Sequence, residues 1–211
     1  YDIEQGGYTP LLFAARQGAL ESARLLVAAG ADVNDAAPMG TSTLVVAALS
    51  GQGAVATFLL EQGADPNAAD AGYTALHAAV LRGDVELVTA LLAHGADPHG
   101  ELKDGVTPLM QAAWWGSTQC VALLLKHDPD FLAMDHSGHD AVMNAALRGH
   151  DGVLRMLLAA GGEADRTSAG GWTPLMFAAR SGSVACTQTL IDNHADPNVT
   201  PHGWTPLKEA A

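Results

Sequence analysis

Gly7-Tyr8-Thr9-Pro10-Leu11-Leu12-Phe13-Ala14-Ala15-Arg16-Gln17-Gly18 is the stretch on which the fold turns. The Thr9 side-chain oxygen can accept from the orphan N–H groups of a helix start, and Pro10 suits the first helical position because it has no N–H to leave unpaired. A short apolar helix is expected to follow and to end near Gly18. The pattern then returns. Glycines open such runs at Gly7, Gly40, Gly72, Gly105, Gly138, Gly171 and Gly203, at spacings of 33, 32, 33, 33, 33 and 32 residues. Two residues after each stands Thr9, Ser42, Thr74, Thr107, Asp140, Thr173 or Thr205, each able to cap a helix. A second helix, as in Glu21 to Ala29 or Val85 to His94, closes on Gly-Ala-Asp at Gly30, Gly63 and Gly95. Each period is thus turn, helix, helix and loop, the signature of a repeat architecture.

Gly-x-Thr-Pro-Leu-x-x-Ala-Ala-x-x-Gly followed by Leu-Leu-x-x-Gly-Ala-Asp-x-Asn resembles the ankyrin repeat. The resemblance covers residues 6–211, with repeats at about 6–38, 39–70, 71–103, 104–136, 137–169 and 170–201 and a partial seventh at 202–211. It implies one all-α domain over residues 1–211: a solenoid of antiparallel helix pairs with short β-hairpin fingers. The chain departs from the family's pattern in places. The histidine after Thr-Pro-Leu survives only as His77, the finger aspartate is replaced by Ala37 and Leu102, and repeat 5 reads Asp140-Ala141-Val142 for Thr-Pro-Leu. Core-type Leu11, Leu12 and Phe13 in the first repeat, and a last helix stopping at Ala210-Ala211, lead to the expectation of a piece of a longer protein.

Composition narrows the function. The chain has 211 residues, 48% of them apolar, and a formal charge of −13 from 23 acids and 10 bases. Such a charge repels phosphate backbones and argues against nucleic acid as a partner. The longest uncharged stretch, Ala36 to Leu60, is broken by Pro38, Gly40, Gly51 and Gly53, so no membrane insertion is expected. Two cysteines exclude a disulfide scaffold. Cys120 and Cys186 lie two repeats apart at matching positions, about 20 Å from each other at ordinary helix spacing, and read as small apolar fillers. Scarce lysine and abundant alanine point to a GC-rich, bacterial source, with the compartment, cytoplasm or periplasm, left open.

No phosphate loop, nucleophile elbow, zincin helix or dinucleotide fingerprint occurs, so no cofactor and no enzymatic activity are expected. His136 and His139, flanked by Asp135 and Asp140, are the one candidate metal cluster; a solvated finger tip is the preferred reading. Asp32, Asp65, Asp97, Asp130, Glu163 and Asp196 recur at one loop position, where short acids hold backbone N–H groups. Asn34, Asn67 and Asn198 sit where ankyrin repeats resemble substrates of an asparaginyl hydroxylase.

Phe13, Phe58, Phe131 and Phe177 are expected in the core, whereas the tryptophans fall elsewhere. Trp172 and Trp204 stand between a finger glycine and a capping threonine, as do Tyr8 and Tyr73; Met39, Val106, His136 and His139 also lie on fingers. Trp114 and Trp115 precede the glycine that ends a first helix. Across the repeats the first helix-end position carries Arg16, Leu49, Leu81, Trp114, Leu147 and Arg180, and the second includes Arg82, Trp115 and Arg148. In ankyrin-like proteins these positions line the concave binding face, and Trp, Tyr and Arg dominate binding hot spots. Trp114 is the expected exposed anchor, and Trp115 the ring that Arg82 or Arg148 would hold against the stack. The expected function is a protein-interaction scaffold for a partner with apolar side chains and some acidic groups. The alternatives are a regulatory or targeting module of an enzyme or toxin whose catalytic domain lies outside this chain, and a metalloenzyme centred on His136 and His139.

Overall fold

The computed structural model describes residues 7–38, 40–69 and 72–200. The chain divides into two compact units, Tyr1–Leu102 and Lys103–Ala211. The division falls between the third and fourth repeats of what the sequence presents as one continuous domain.

In the first unit, α1 (Pro10–Gln17), α3 (Thr43–Leu49) and α5 (Ala75–Arg82) lie side by side, each paired with a second helix: α2 (Leu20–Ala28), α4 (Gly53–Glu61) and α6 (Val85–Ala93). The second unit repeats the plan. There α7 (Pro108–Trp115), α9 (Ala141–Arg148) and α11 (Pro174–Ser181) form the inner row, and α8 (Thr118–Leu124), α10 (Asp151–Ala159) and α12 (Val184–Asp192) the outer row. The described part is all-α, as the repeat pattern requires.

Each first helix begins as the sequence implies. Side-chain oxygens of Thr9, Ser42, Thr74, Thr107, Asp140 and Thr173 accept from the N–H three residues on. Thr205 lies outside the described residues. Helix ends turn on a left-handed residue, Gly18 at φ 72° for example, a conformation only glycine adopts without cost. Where the second helix closes, Asp128 (φ 51°) and His194 (φ 68°) take the same left-handed turn without being glycine.

Paired alanines make the inner row possible. Ala47 and Ala48, Ala78 and Ala79, Ala112 and Ala113, and Ala145 and Ala146 are buried, so neighbouring first helices approach closely. Leu59, Leu87, Leu91, Leu154, Leu157 and Leu190 of the second helices fill the rest, each contributing about 1.5–3 kcal/mol by burial. Phe58 and Phe177 are buried as expected, but Phe13 and Phe131 are only half-buried. Cys120 and Cys186 are buried, on α8 and α12, with α10 packed against both helices. Burial pushes the Cys186 thiol above its ordinary pKa, as suits an inert filler.

The loops are tied by the acids the sequence singles out. Asp32, Asp65, Asp97, Asp130 and Asp196 each accept from the N–H two residues on, at 2.7–2.9 Å. Glu163 makes no such turn. Instead Asp165 accepts from Asp196 N–H of the next repeat at 2.9 Å, as Asn34 does from Asp65 and Asn67 from Asp97. The asparagines Asn34 and Asn67 thus lock one loop to the next. The fingers turn tightly, with Ala37, Asp135 and Ser168 N–H groups bonded back to Thr41, His139 and Trp172 carbonyls. Only Ala36 and Ser42 form a β-bridge among the described residues, so the expected hairpins are turns rather than strands.

Candidate functional site

In the first unit, packing of α1, α3 and α5 brings Arg16, Leu49 and Leu81 into one row at the helix ends. Leu49 and Leu81 are exposed, at 37% and 40%. Arg82 crosses to the preceding repeat and donates to the Leu49 carbonyl through Nε at 2.7 Å and through Nη2. Tyr8, itself exposed, leans on Phe13 with ring centroids 5.4 Å apart. Tyr73 lies 5.8 Å from the ring of His77, whose Nδ1 is 2.7 Å from the Thr74 hydroxyl oxygen. Met39 lies outside the described residues.

In the second unit the ends of α7, α9 and α11 form a corresponding row. Trp115 is the most exposed aromatic ring described, at 52%. Trp114 is half-buried beneath Arg148, whose guanidinium carbon sits 4.8 Å from its ring centroid. The expected roles are therefore exchanged: Arg148 rests on Trp114, and Trp115 is the open ring. Beside them His150 packs against Gly116 and donates from Nε2 to the Trp114 carbonyl at 3.1 Å. Leu147 is half-buried between these groups in sequence and Arg180 continues the row.

The fingers of this unit add a second stack. Trp172, half-buried, lies 5.4 Å from Phe177, and the Arg180 guanidinium sits 5.5 Å from the Trp172 centroid. His139 meets Phe177 edge-on at 5.0 Å. His136 is exposed and its N–H donates to the Asp104 carbonyl at 2.8 Å, while Val106 N–H donates to the Asp104 carboxylate. Trp204 lies outside the described residues.

The histidine finger is organised by its own backbone. Asp135 Oδ1 accepts from Ser137 and His139 N–H groups at 2.8 and 2.9 Å, with its Oδ2 3.8 Å from His139 Nδ1. Asp140 faces the start of α9 and accepts from Met143 N–H at 2.8 Å. Burial raises the Asp140 carboxyl pKa against the pull of that N–H and of Arg166. Among the described residues no three His, Cys, Asp or Glu side chains are grouped to hold a metal ion.

In the first unit a cavity of about 350 Å³ opens between α2, α4 and α6, lined by Gly53 and Ala54 at the start of α4. Arg24 lies over the Phe58 ring, 4.8 Å from the centroid, and both line the cavity with Glu61, Asp84 and Glu86.

Helix pairs in 33-residue register, capped alike and stacked through alanines, define an α-helical repeat protein of the kind that presents a surface rather than encloses a reaction site. Residues 1–70, 69–135 and 142–211 each match the family described as ankyrin repeats (3 copies). The chain belongs to the ankyrin-repeat family. It is similar to the putative ankyrin repeat protein YahD of Escherichia coli, with 27% identity over 206 residues, 94% of this chain and 87% of that protein. It is 35% identical over 89 residues to the protein fem-1 homolog A-like of Mus musculus. An ankyrin repeat and KH domain-containing protein of Caenorhabditis briggsae is 32% identical over 194 residues, 91% of this chain. The matched segments span only 14% and 6% of those two larger relatives. The crystal structure of the ankyrin repeat domain of Bcl-3, a member of the IkappaB protein family, superposes with a TM-score of 0.81 at 27% identity, covering 96% of this chain and 94% of that one. Ankyrin repeats are generally protein–protein interaction modules and typically not catalytic. Among the described residues no helix is long and apolar enough to cross a membrane.

Proposed function

We propose that the chain is a protein-binding scaffold, without catalysis of its own, that engages its partner through the helix-end rows and fingers. The observation that carries this reading is Trp115, a ring 52% exposed in a chain that can bury apolar surface well elsewhere. A large rigid side chain left in water contributes little to the fold, and its burial against a partner is the ordinary source of a binding hot spot. Leu49 and Leu81 add exposed apolar groups on the first unit, and Arg148 and Arg180 add cations on the second. A partner that supplies apolar side chains and acidic groups fits these surfaces, whereas a nucleic acid would meet a chain of charge −13.

Affinity capture with the wild-type chain and with Trp115→Ala tests the reading. The variant should melt as the wild type does, with stability changed by about 0.5 kcal/mol or less. Proteins retained by the wild type should bind the variant more weakly by about 2 kcal/mol or more, the hot-spot range. Undiminished retention by a folded Trp115→Ala chain would refute it.

A further inference from the structure

Seven arginines lie among the described residues; Arg16 is exposed in the last turn of α1, and the contacts of the other six divide them. Arg24 and Arg155 pair with Glu21 and Asp151; Arg82 and Arg166 donate to backbone carbonyls of the preceding repeat. Arg148 and Arg180 do neither. Among the described residues, neither guanidinium lies within ion-pair distance of a carboxylate or donates a hydrogen bond; each rests instead on a tryptophan, Trp114 or Trp172. What sets these two exposed cations apart is the tryptophan ring under each guanidinium, with its N–H donors left unspent on any described carbonyl or carboxylate.

We infer that Arg148 and Arg180 are receptors for two carboxylates of an extended acidic segment in the partner, a segment that also places an apolar side chain on Trp115. The inference rests on the scaffold reading above and specifies the ligand of that same surface. An aromatic support limits the freedom of a guanidinium and leaves the in-plane N–H donors to form the paired bonds that match a carboxylate. Arg148 ends α9 and Arg180 stands one residue from the end of α11, helices packed side by side. Packed helices lie roughly 8–10 Å apart, and an extended chain advances about 3.3 Å per residue. The two acids should therefore stand about three residues apart. Lysine at either position would keep the charge but lose both the stack and the fork.

The test is selection of random twelve-residue peptides, displayed in extended form, on the 211-residue chain, followed by measured affinities of synthetic winners. Winners should carry two Asp or Glu residues spaced two to four apart with one large apolar residue. Replacing both acids by Asn or Gln should weaken binding roughly tenfold or more, and raised salt should weaken the acidic peptide but not the amide version. Arg148→Lys and Arg180→Lys should each lose most of that discrimination while melting as the wild type does. Winners without acids that still require Trp115 would overturn the carboxylate assignment and leave the scaffold reading standing. Winners whose affinity is unchanged by Trp115→Ala, or a selection that enriches nothing, would overturn both.

Discussion

Arg82 and Arg148 occupy the same position of their repeats, the last residue of a first helix, and are used in opposite ways. Arg82 reaches back and satisfies the Leu49 carbonyl. The equivalent carbonyl, that of Trp114, accepts from His150 instead, and Arg148 lies over the Trp114 ring. Two residues beyond Arg82 stands Asp84, whose side chain caps α6 by accepting from Leu87 N–H. The two arginines thus differ together with the residue after the helix-ending glycine, Asp84 in one repeat and His150 in the other. Equal positions in a repeat need not have equal roles.

The largest expected effect separates the two adjacent tryptophans. Trp114→Ala should cost about 2 kcal/mol, below the full cost of a core tryptophan because the ring is half-buried. Trp115→Ala should cost about 0.5 kcal/mol or less. Urea denaturation of the two variants reads the difference, and equal losses would break the assignment of one ring to the fold and the other to a partner.

Next come the arginines themselves. Arg82→Ala removes donors from a helix-end carbonyl and should cost about 1 kcal/mol. Arg148→Ala removes an exposed cation–π contact and should cost about 0.5 kcal/mol. The comparison is sharpened by His150→Ala. With its carbonyl released, Trp114 becomes a target for Arg148, and a double-mutant cycle should show Arg148 gaining roughly 0.5 kcal/mol in worth. Strict additivity would mean that His150 does not hold Arg148 away.

The smallest effects concern two aspartates of the second unit and depend on pH. Burial raises the Asp140 pKa, so the folded state holds its proton more tightly than the unfolded one. Stability from this group therefore falls as pH rises from the ordinary carboxylate range to the raised value. Asp140→Asn, which keeps an acceptor for Met143 N–H, should gain relative to wild type between pH 4 and pH 7. At Asp151 burial also pushes upward, but hydrogen bonds from Thr189 and Arg155 outweigh it and the pKa is lowered. Its contribution is present above the ordinary range and lost as pH falls through the lowered value. Asp151→Asn should lose relative to wild type at neutral pH and match it in acid. Thermal melts across pH check both signs, and parallel curves for the two variants would contradict the pair.

Legibility followed the range of the interaction. Helix starts at Thr9 or Thr173, left-handed ends at Gly18 or Gly149, and loop turns at Asp32 or Asp97 are contacts within a few residues, so their patterns stand in the sequence as they stand in the structure. Glu163 departs from this pattern, its side chain one methylene longer than the short turn accepts, and Asp165 ties the neighbouring loop instead.

Sequence alone determined the 33-residue period, the helix pairs, their caps and the family, since each is a local rule applied again and again. Tertiary structure alone decided which of Trp114 and Trp115 stays open, and which arginines remain without a carboxylate. Both depend on what the next repeat brings across the interface, and His150 reaches the Trp114 carbonyl from 36 positions away in the chain, where no periodicity marks the competition between one donor and another.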